Sequence, residues 1–213
     1  MNTHPDTLQM ESFIARRPDT ESVANFKPSE EIQRLDLKFD LKELQNALDE
    51  VLGIEGYSGE GFHALPLTRR PGTNGASAND LSGRYYIRTD ESYEEYARED
   101  LVDESQFSEL VSEFKGTYFE TVHQELCRRY PIGRMRILMK EPLTSNSWHR
   151  DPEPRIHIPI HTNPGSIFII NHHVTHIPAD GHAYFTDTRG YHTAVNGGET
   201  NRVHLVAALA YPE

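Results

Sequence analysis

The spacing of apolar residues changes at Gly133. Before it, in the two clearest stretches, they recur at steps of three and four; after it they fall mostly at alternate positions. The clearest helical stretch begins after Asp40, a residue suited to N-capping. There Leu41, Leu44, Ala47, Leu48, Val51 and Leu52 make one stripe, and Gly53 ends it. A second stripe of Phe107, Leu110, Val111, Phe114, Tyr118, Val122 and Leu126 predicts a long helix over residues 106–129, stopped by Tyr130-Pro-Ile-Gly133. Cys127 falls inside it and is expected to be a buried structural thiol, not a nucleophile. Imperfect alternation from Ile32 to Phe39 predicts a first strand.

Between the two helices the pattern is weak. Residues 69–80 are rich in turn formers and longer than a simple connection, which suggests a lid. Gly83–Arg88 could be a strand, and the charged run from Asp90 to Asp103 reads as a solvated helical face. Residues 1–30 are polar with no sustained period and are expected to be an arm. Residues 31–213 then form one domain, with its β core at about 131–211.

After Gly133, strands are predicted at 134–140, 155–161, 166–170, 174–177, 182–186 and 202–209, with turn formers between them. Short strands at this spacing make an antiparallel sandwich or barrel with the helices packed outside. Two of these strands have a polar face that is more than a solvent face. Arg155, His157, Pro159 and His161 share one side, opposite Ile156, Ile158 and Ile160, while Arg202 and His204 share a side opposite Val203 and Leu205. The repeated Arg-x-His predicts a polar lumen, and cations turned into a cavity call for an anion there. Arginine can hold a carboxylate through two parallel hydrogen bonds.

Composition narrows the function classes. A net charge of -12 over 213 residues argues against a nucleic-acid surface. No signal-peptide pattern and no long apolar run is present, so neither secretion nor a membrane partner is expected. One cysteine fits a reducing compartment, and the expected location is the cytoplasm. Nine of the twelve histidines lie between His149 and His204, which concentrates metal-ligating capacity in the β half. His149 and Asp151 at i and i+2 would share a face of a strand, giving two members of a 2-His-1-carboxylate site. His192, between Asp187-Thr-Arg-Gly190 and Asn196-Gly-Gly, is the best third member. His172, His173 and His176 mark a predicted hairpin turn and read as surface or supporting groups; His161 and His182 are left unassigned. Trp148, Tyr184 and Phe185 are expected to pack in the core rather than line a cavity.

His149-x-Asp151, Arg155-Ile-His-Ile-Pro-Ile-His161 and His192 followed ten residues on by Arg202-Val-His-Leu-Val together resemble the aspartyl/asparaginyl β-hydroxylase family of Fe(II)/2-oxoglutarate-dependent dioxygenases, which includes small bacterial free-proline hydroxylases. The resemblance covers roughly residues 134–210. It implies a mainly β protein with flanking helices and a double-stranded β-helix (jelly-roll, cupin-like) core. It also implies Fe(II) on His149, Asp151 and His192, with 2-oxoglutarate and O2 consumed and succinate and CO2 released. Arg202 would anchor the distal carboxylate of 2-oxoglutarate, with Arg155 and His157 helping to position it. The substrate would be a small carboxylic or amino acid, or a peptidyl Asp or Asn side chain. Arg69, Arg84, Arg134 and Arg136 are candidates to meet a substrate carboxylate. Two family features are missing: a helper serine on the strand at 136–140, and an acidic residue where Ala207 and Ala208 stand. The competing readings are a cupin-like metal-binding isomerase or non-catalytic module, which would need the metal but not Arg202, and a zinc hydrolase, for which no His-Glu-x-x-His helix is present.

Overall fold

Two antiparallel sheets, with helices on the outer face of one of them, account for most of the described chain. The computed structural model describes residues 32–58, 63–82, 86–88, 95–97, 103–171 and 173–210; the N-terminal arm and Arg84 lie outside them. The strands are β1 (Ile32–Lys38), β2 (His63–Pro66), β3 (Thr68–Arg69), β4 (Tyr86–Arg88), β5 (Glu95–Ala97), β6 (Glu109–Leu110), β7 (Ile132–Lys140), β8 (Thr144–Ser145), β9 (His149–Arg150), β10 (Arg155–His161), β11 (Ser166–Ile170), β12 (His173–Thr175), β13 (His182–Thr186), β14 (His192–Asn196) and β15 (Arg202–Leu209). The helices are α1 (Leu41–Leu52), α2 (Ala78–Ser82) and α3 (Tyr118–Arg129).

The larger framework sheet runs β1-β13-β10-β15-β7-β2, and the second runs β12-β11-β14-β9-β4-β5 with β8 beside β14. This is the jelly-roll fold expected. In the framework sheet the alternation has the predicted meaning. Ile156, Ile158, Ile160, Val203, Leu205, Met135 and Ile137 join one apolar core with Leu44, Leu48 and Val51 of α1 and Phe119, Val122 and Leu126 of α3. Ile156, Ile158 and Ile160 are wholly buried, and each contributes about 1.5–3 kcal/mol through burial alone. The opposite face carries Arg155, His157, Arg202, His204, Arg134 and Arg136, all buried. These point into the space between the sheets, where Phe168 and Ile170 of the second sheet pack with Tyr184.

Helix α1 begins as expected: the Asp40 carboxylate accepts from the backbone N–H groups of Lys42 (2.8 Å) and Glu43 (3.1 Å). Replacing Asp40 by alanine is expected to cost about 1 kcal/mol, measured as a lower denaturant midpoint with an unchanged slope.

The structure departs from expectation in several places. The long helix over 106–129 is helical only in α3. Gly116 has φ of 80°, and Thr117 then caps α3 by accepting from Phe119 N. Before it, Ser112–Phe114 is a 3-10 turn, and Glu109–Leu110 pairs with β3. The charged run at 90–103 contains strand β5, paired with β4, where a helical face was expected. Of residues 69–80, Arg70 pairs internally with Asp80 at 2.7 Å, and the end forms the short α2, where the Asn79 and Asp80 carbonyls accept from Arg134 at 3.1 Å, so that end of the predicted lid is tied to the body. Cys127 is exposed, not buried, because its neighbour Leu126 takes the inward position on α3. Trp148 is also exposed, at 48%, whereas Tyr184 and Phe185 are buried as expected. Among the described residues, no helix is long and apolar enough to cross a membrane.

Candidate metal centre

His149, Asp151 and His192 come together at the second sheet. His149 of β9 is paired in register with His192, the first residue of β14, and the backbone N–H of Asp151 donates to the Thr188 carbonyl at 2.8 Å. One ligand atom from each of the three residues lies within 4.8 Å of the others, the one such group of His, Cys, Asp and Glu among the described residues. His149 Nε2 is 4.0 Å from Asp151 Oδ1, and His192 Nε2 is 3.4 Å from Asp151 Oδ2.

Both imidazoles are held in one tautomer. His149 Nδ1 donates to the Ser147 carbonyl (2.7 Å) and His192 Nδ1 to the Gly190 carbonyl (3.0 Å). Each ring therefore carries its lone pair on Nε2, on the side of the carboxylate, as a metal-binding histidine does. Burial pushes His192 down to about 3, against the opposing charge of Asp151, so the ring is neutral at pH 7. Burial alone would raise the Asp151 carboxyl, but Arg155, His192, His149 and Arg136 outweigh it and hold the group below its ordinary value. Arg155 Nη2 binds Asp151 Oδ1 at 2.8 Å, whereas Asp151 Oδ2 is buried with no hydrogen-bond partner. Two imidazole Nε2 atoms converging with an orphaned carboxylate oxygen fit a divalent cation such as Fe(II) or Zn(II).

A second group of polar residues leads away from the triad along the floor of the lumen. Phe168 stacks on His192, with centroids 5.6 Å apart and planes 19° apart, and its edge meets His157 at 5.3 Å. His157 Nδ1 lies 3.3 Å from His204 Nδ1, and the latter accepts from Arg202 Nη2 at 2.8 Å. Guanidinium only donates, so His204 Nδ1 is bare and His204 carries its proton on Nε2. Burial holds both imidazoles well below their usual range, with the Arg202 charge adding to it. Arg202 is itself pushed down to about 10 by burial, and has no acidic partner among the described residues.

The other candidates separate. Arg69 pairs with Glu109, and Arg134 with Glu104. Arg155 is bound to Asp151 and, at 3.5 Å, to Glu153. Arg136 stays buried with the Leu81 carbonyl as its acceptor. His161 and His173 are exposed; His176 is exposed with Nδ1 donating to the Ser166 carbonyl at 2.9 Å, and His182 Nδ1 is 3.2 Å from Asp180. Sequence reasoning did not pick out His204 as a site residue, although the second Arg-x-His carried the signal. Lys140 and Glu104 were also missed, because their places depend on strand pairing and distant chain segments.

No family model and no curated protein matches this chain. Among solved structures, it resembles an oxidoreductase of the 2OG-Fe(II) oxygenase family from Burkholderia pseudomallei, with TM-score 0.53, 15% identity and 85% of each chain covered. A viral collagen prolyl hydroxylase from Paramecium Bursaria Chlorella virus-1, in its 2OG complex, gives TM-score 0.49 and 9% identity over 86% of this chain and 98% of that one. AviO1 from Streptomyces viridochromogenes Tue57 gives 0.49 and 14%, over 93% and 96%. The first of these likenesses supports the fold, and at such identities that is all it supports.

Proposed function

We propose that the protein is an Fe(II)/2-oxoglutarate-dependent dioxygenase that hydroxylates an unactivated C–H bond of a small carboxylic or amino acid. The observation that carries this reading is the placing of Arg202, a cation without an acidic partner among the described residues, on the same lumen as the His149–Asp151–His192 triad. A metal-binding isomerase or hydrolase has no need of that cation. His149, Asp151 and His192 would hold Fe(II), which, with 2-oxoglutarate and O2, supplies the oxidising chemistry that turns C–H into C–OH and releases succinate and CO2.

The chain's own residues do the positioning. Arg202 would bind the distal carboxylate of 2-oxoglutarate, and its bond to His204 fixes the direction of the guanidinium. His157, between His204 and Phe168, would meet the co-substrate nearer the triad. Arg155 favours the ionised form of Asp151 and, by taking Oδ1, leaves Oδ2 free to hold a metal, a supporting bond of the kind that tunes metal sites. Phe168, packed flat on His192, keeps water from that side of the centre. Among the described candidates, Arg136 is the guanidinium left to hold a substrate carboxylate, since Arg69 and Arg134 already have carboxylate partners.

The test is anaerobic loading with Fe(II) and 2-oxoglutarate, exposure to O2 across a panel of amino and carboxylic acids, and assay of succinate. Succinate well above a His149→Ala control is expected; equality with that control throughout the panel would overturn the assignment. Arg202→Ala should raise the 2-oxoglutarate concentration needed by about 10-fold or more, the usual scale for losing a charge-assisted bond, while iron binding is kept. An unchanged 2-oxoglutarate requirement would show that Arg202 is misassigned.

A further inference from the structure

Strand pairing sets a second cation directly opposite Arg202. In the β7–β15 ladder, Arg202 pairs with Lys140, and His204 with Leu138. Lys140 follows Arg134, Arg136 and Leu138 at steps of two, whereas Met135, Ile137 and Met139 belong to the core on the helix side. Lys140 is therefore on the lumen face with Arg202. Two like charges directly opposite in a ladder repel, and here Arg202 is buried and Lys140 partly buried. Among the described residues neither has an acidic partner, in a chain with 33 Asp and Glu to choose from. Burial and the Arg202 charge push the Lys140 amine down to about 8, the mark of a cation lacking its counter-ion.

The ammonium is also held in place. Its acceptor is Asn146 Oδ1, and an ammonium has three donors. The Asn146 carbonyl accepts from Thr193 Oγ1 (2.8 Å), next to His192, and its N–H donates to the Ala194 carbonyl (3.0 Å). Asn196 Nδ2 donates to the carbonyl of Lys140 itself at 3.0 Å. Lys140 is thus fastened between β15 and β14, with donors to spare beside Arg202.

We propose that Lys140 and Arg202 together form the cradle for the distal carboxylate of the co-substrate, and that Lys140 is a specificity residue selecting a 2-oxo dicarboxylate over a 2-oxo monocarboxylate. This rests on the co-substrate reading above.

The test is anaerobic calorimetric titration of the Fe(II)-loaded full chain with 2-oxoglutarate and with 2-oxopentanoate, which has the same chain length but ends in methyl. Lys140→Met should weaken 2-oxoglutarate binding by about 10- to 100-fold and leave 2-oxopentanoate within about twofold, with Lys140→Arg restoring most of the loss. Lys140→Gln, which keeps a donor toward Asn146, should behave like Lys140→Met if charge is what matters. Unchanged 2-oxoglutarate affinity in both neutral variants, or an equal loss for both ligands, would overturn the proposal while leaving the co-substrate reading intact. If the wild-type protein binds Fe(II) but no 2-oxoglutarate, the co-substrate reading itself falls.

Discussion

His192→Ala is expected to weaken Fe(II) binding by on the order of 100-fold or more and to abolish succinate formation. Removing a residue that merely supports a ligand typically costs 10- to 100-fold in metal affinity, so loss of a ligand should reach at least the upper end. His192 has no evident alternative duty that would mask the effect. Its ring is neutral, its Nδ1 is committed to the Gly190 carbonyl, and its Nε2 lies 3.4 Å from Asp151 Oδ2. An anaerobic titration with Fe(II), read by calorimetry, gives the affinity. A thermal melt without metal checks the fold, and Phe168 packed on the ring should make a cavity there measurable but not fatal. Wild-type Fe(II) affinity in a folded His192→Ala protein would remove the triad from the site.

The triad and the framework sheet were legible in the sequence because both depend on short-range order. Period two places Ile156, Ile158 and Ile160 against the helices and Arg155 and His157 in the lumen whatever the strands' partners are. Strands 155–161, 166–170, 182–186 and 202–209 match their predicted bounds for that reason. Where a pattern was ambiguous, local context misled. Phe107, Leu110, Val111 and Phe114 fit a helical period, but the left-handed Gly116 breaks the chain before α3, and the earlier apolar residues are spread over a 3-10 turn and β6. Strand β14 escaped notice because His192-Thr-Ala-Val-Asn196 has only two apolar residues, adjacent to each other, and so shows no alternation. The partners of the lumen cations lay beyond reach altogether. Lys140 meets Arg202 through the register of two strands some sixty residues apart, and Glu104 reaches Arg134 from outside the β core.

Those partners divide the buried cations into two kinds, and the division predicts opposite effects on stability. Arg134 is structural. Its guanidinium is paired with Glu104, donates to the carbonyls of Asn79 and Asp80 at 3.1 Å, and lies over the Phe107 ring at 4.6 Å; its backbone N–H also donates to Glu104 at 2.9 Å. Arg134→Met would leave Glu104 a buried carboxylate without its cation, a change that costs about 3–5 kcal/mol in comparable pairs. The denaturant midpoint should fall accordingly, with or without ligands. Among the described residues, Arg202 has no carboxylate to strand. Arg202→Met removes a buried charge that repels Lys140 and exchanges it for a side chain of similar length, so the ligand-free protein should be as stable as wild type or more so. Saturating 2-oxoglutarate should then raise the melting temperature of the Fe(II)-loaded wild-type protein and of Arg134→Met, by mass action on the folded state, but not that of Arg202→Met. A ligand-free Arg202→Met protein destabilised as severely as Arg134→Met would mean that Arg202 is held for the fold. Stability regained there, together with the loss of the 2-oxoglutarate response, identifies a cation kept in the lumen for the anion it binds.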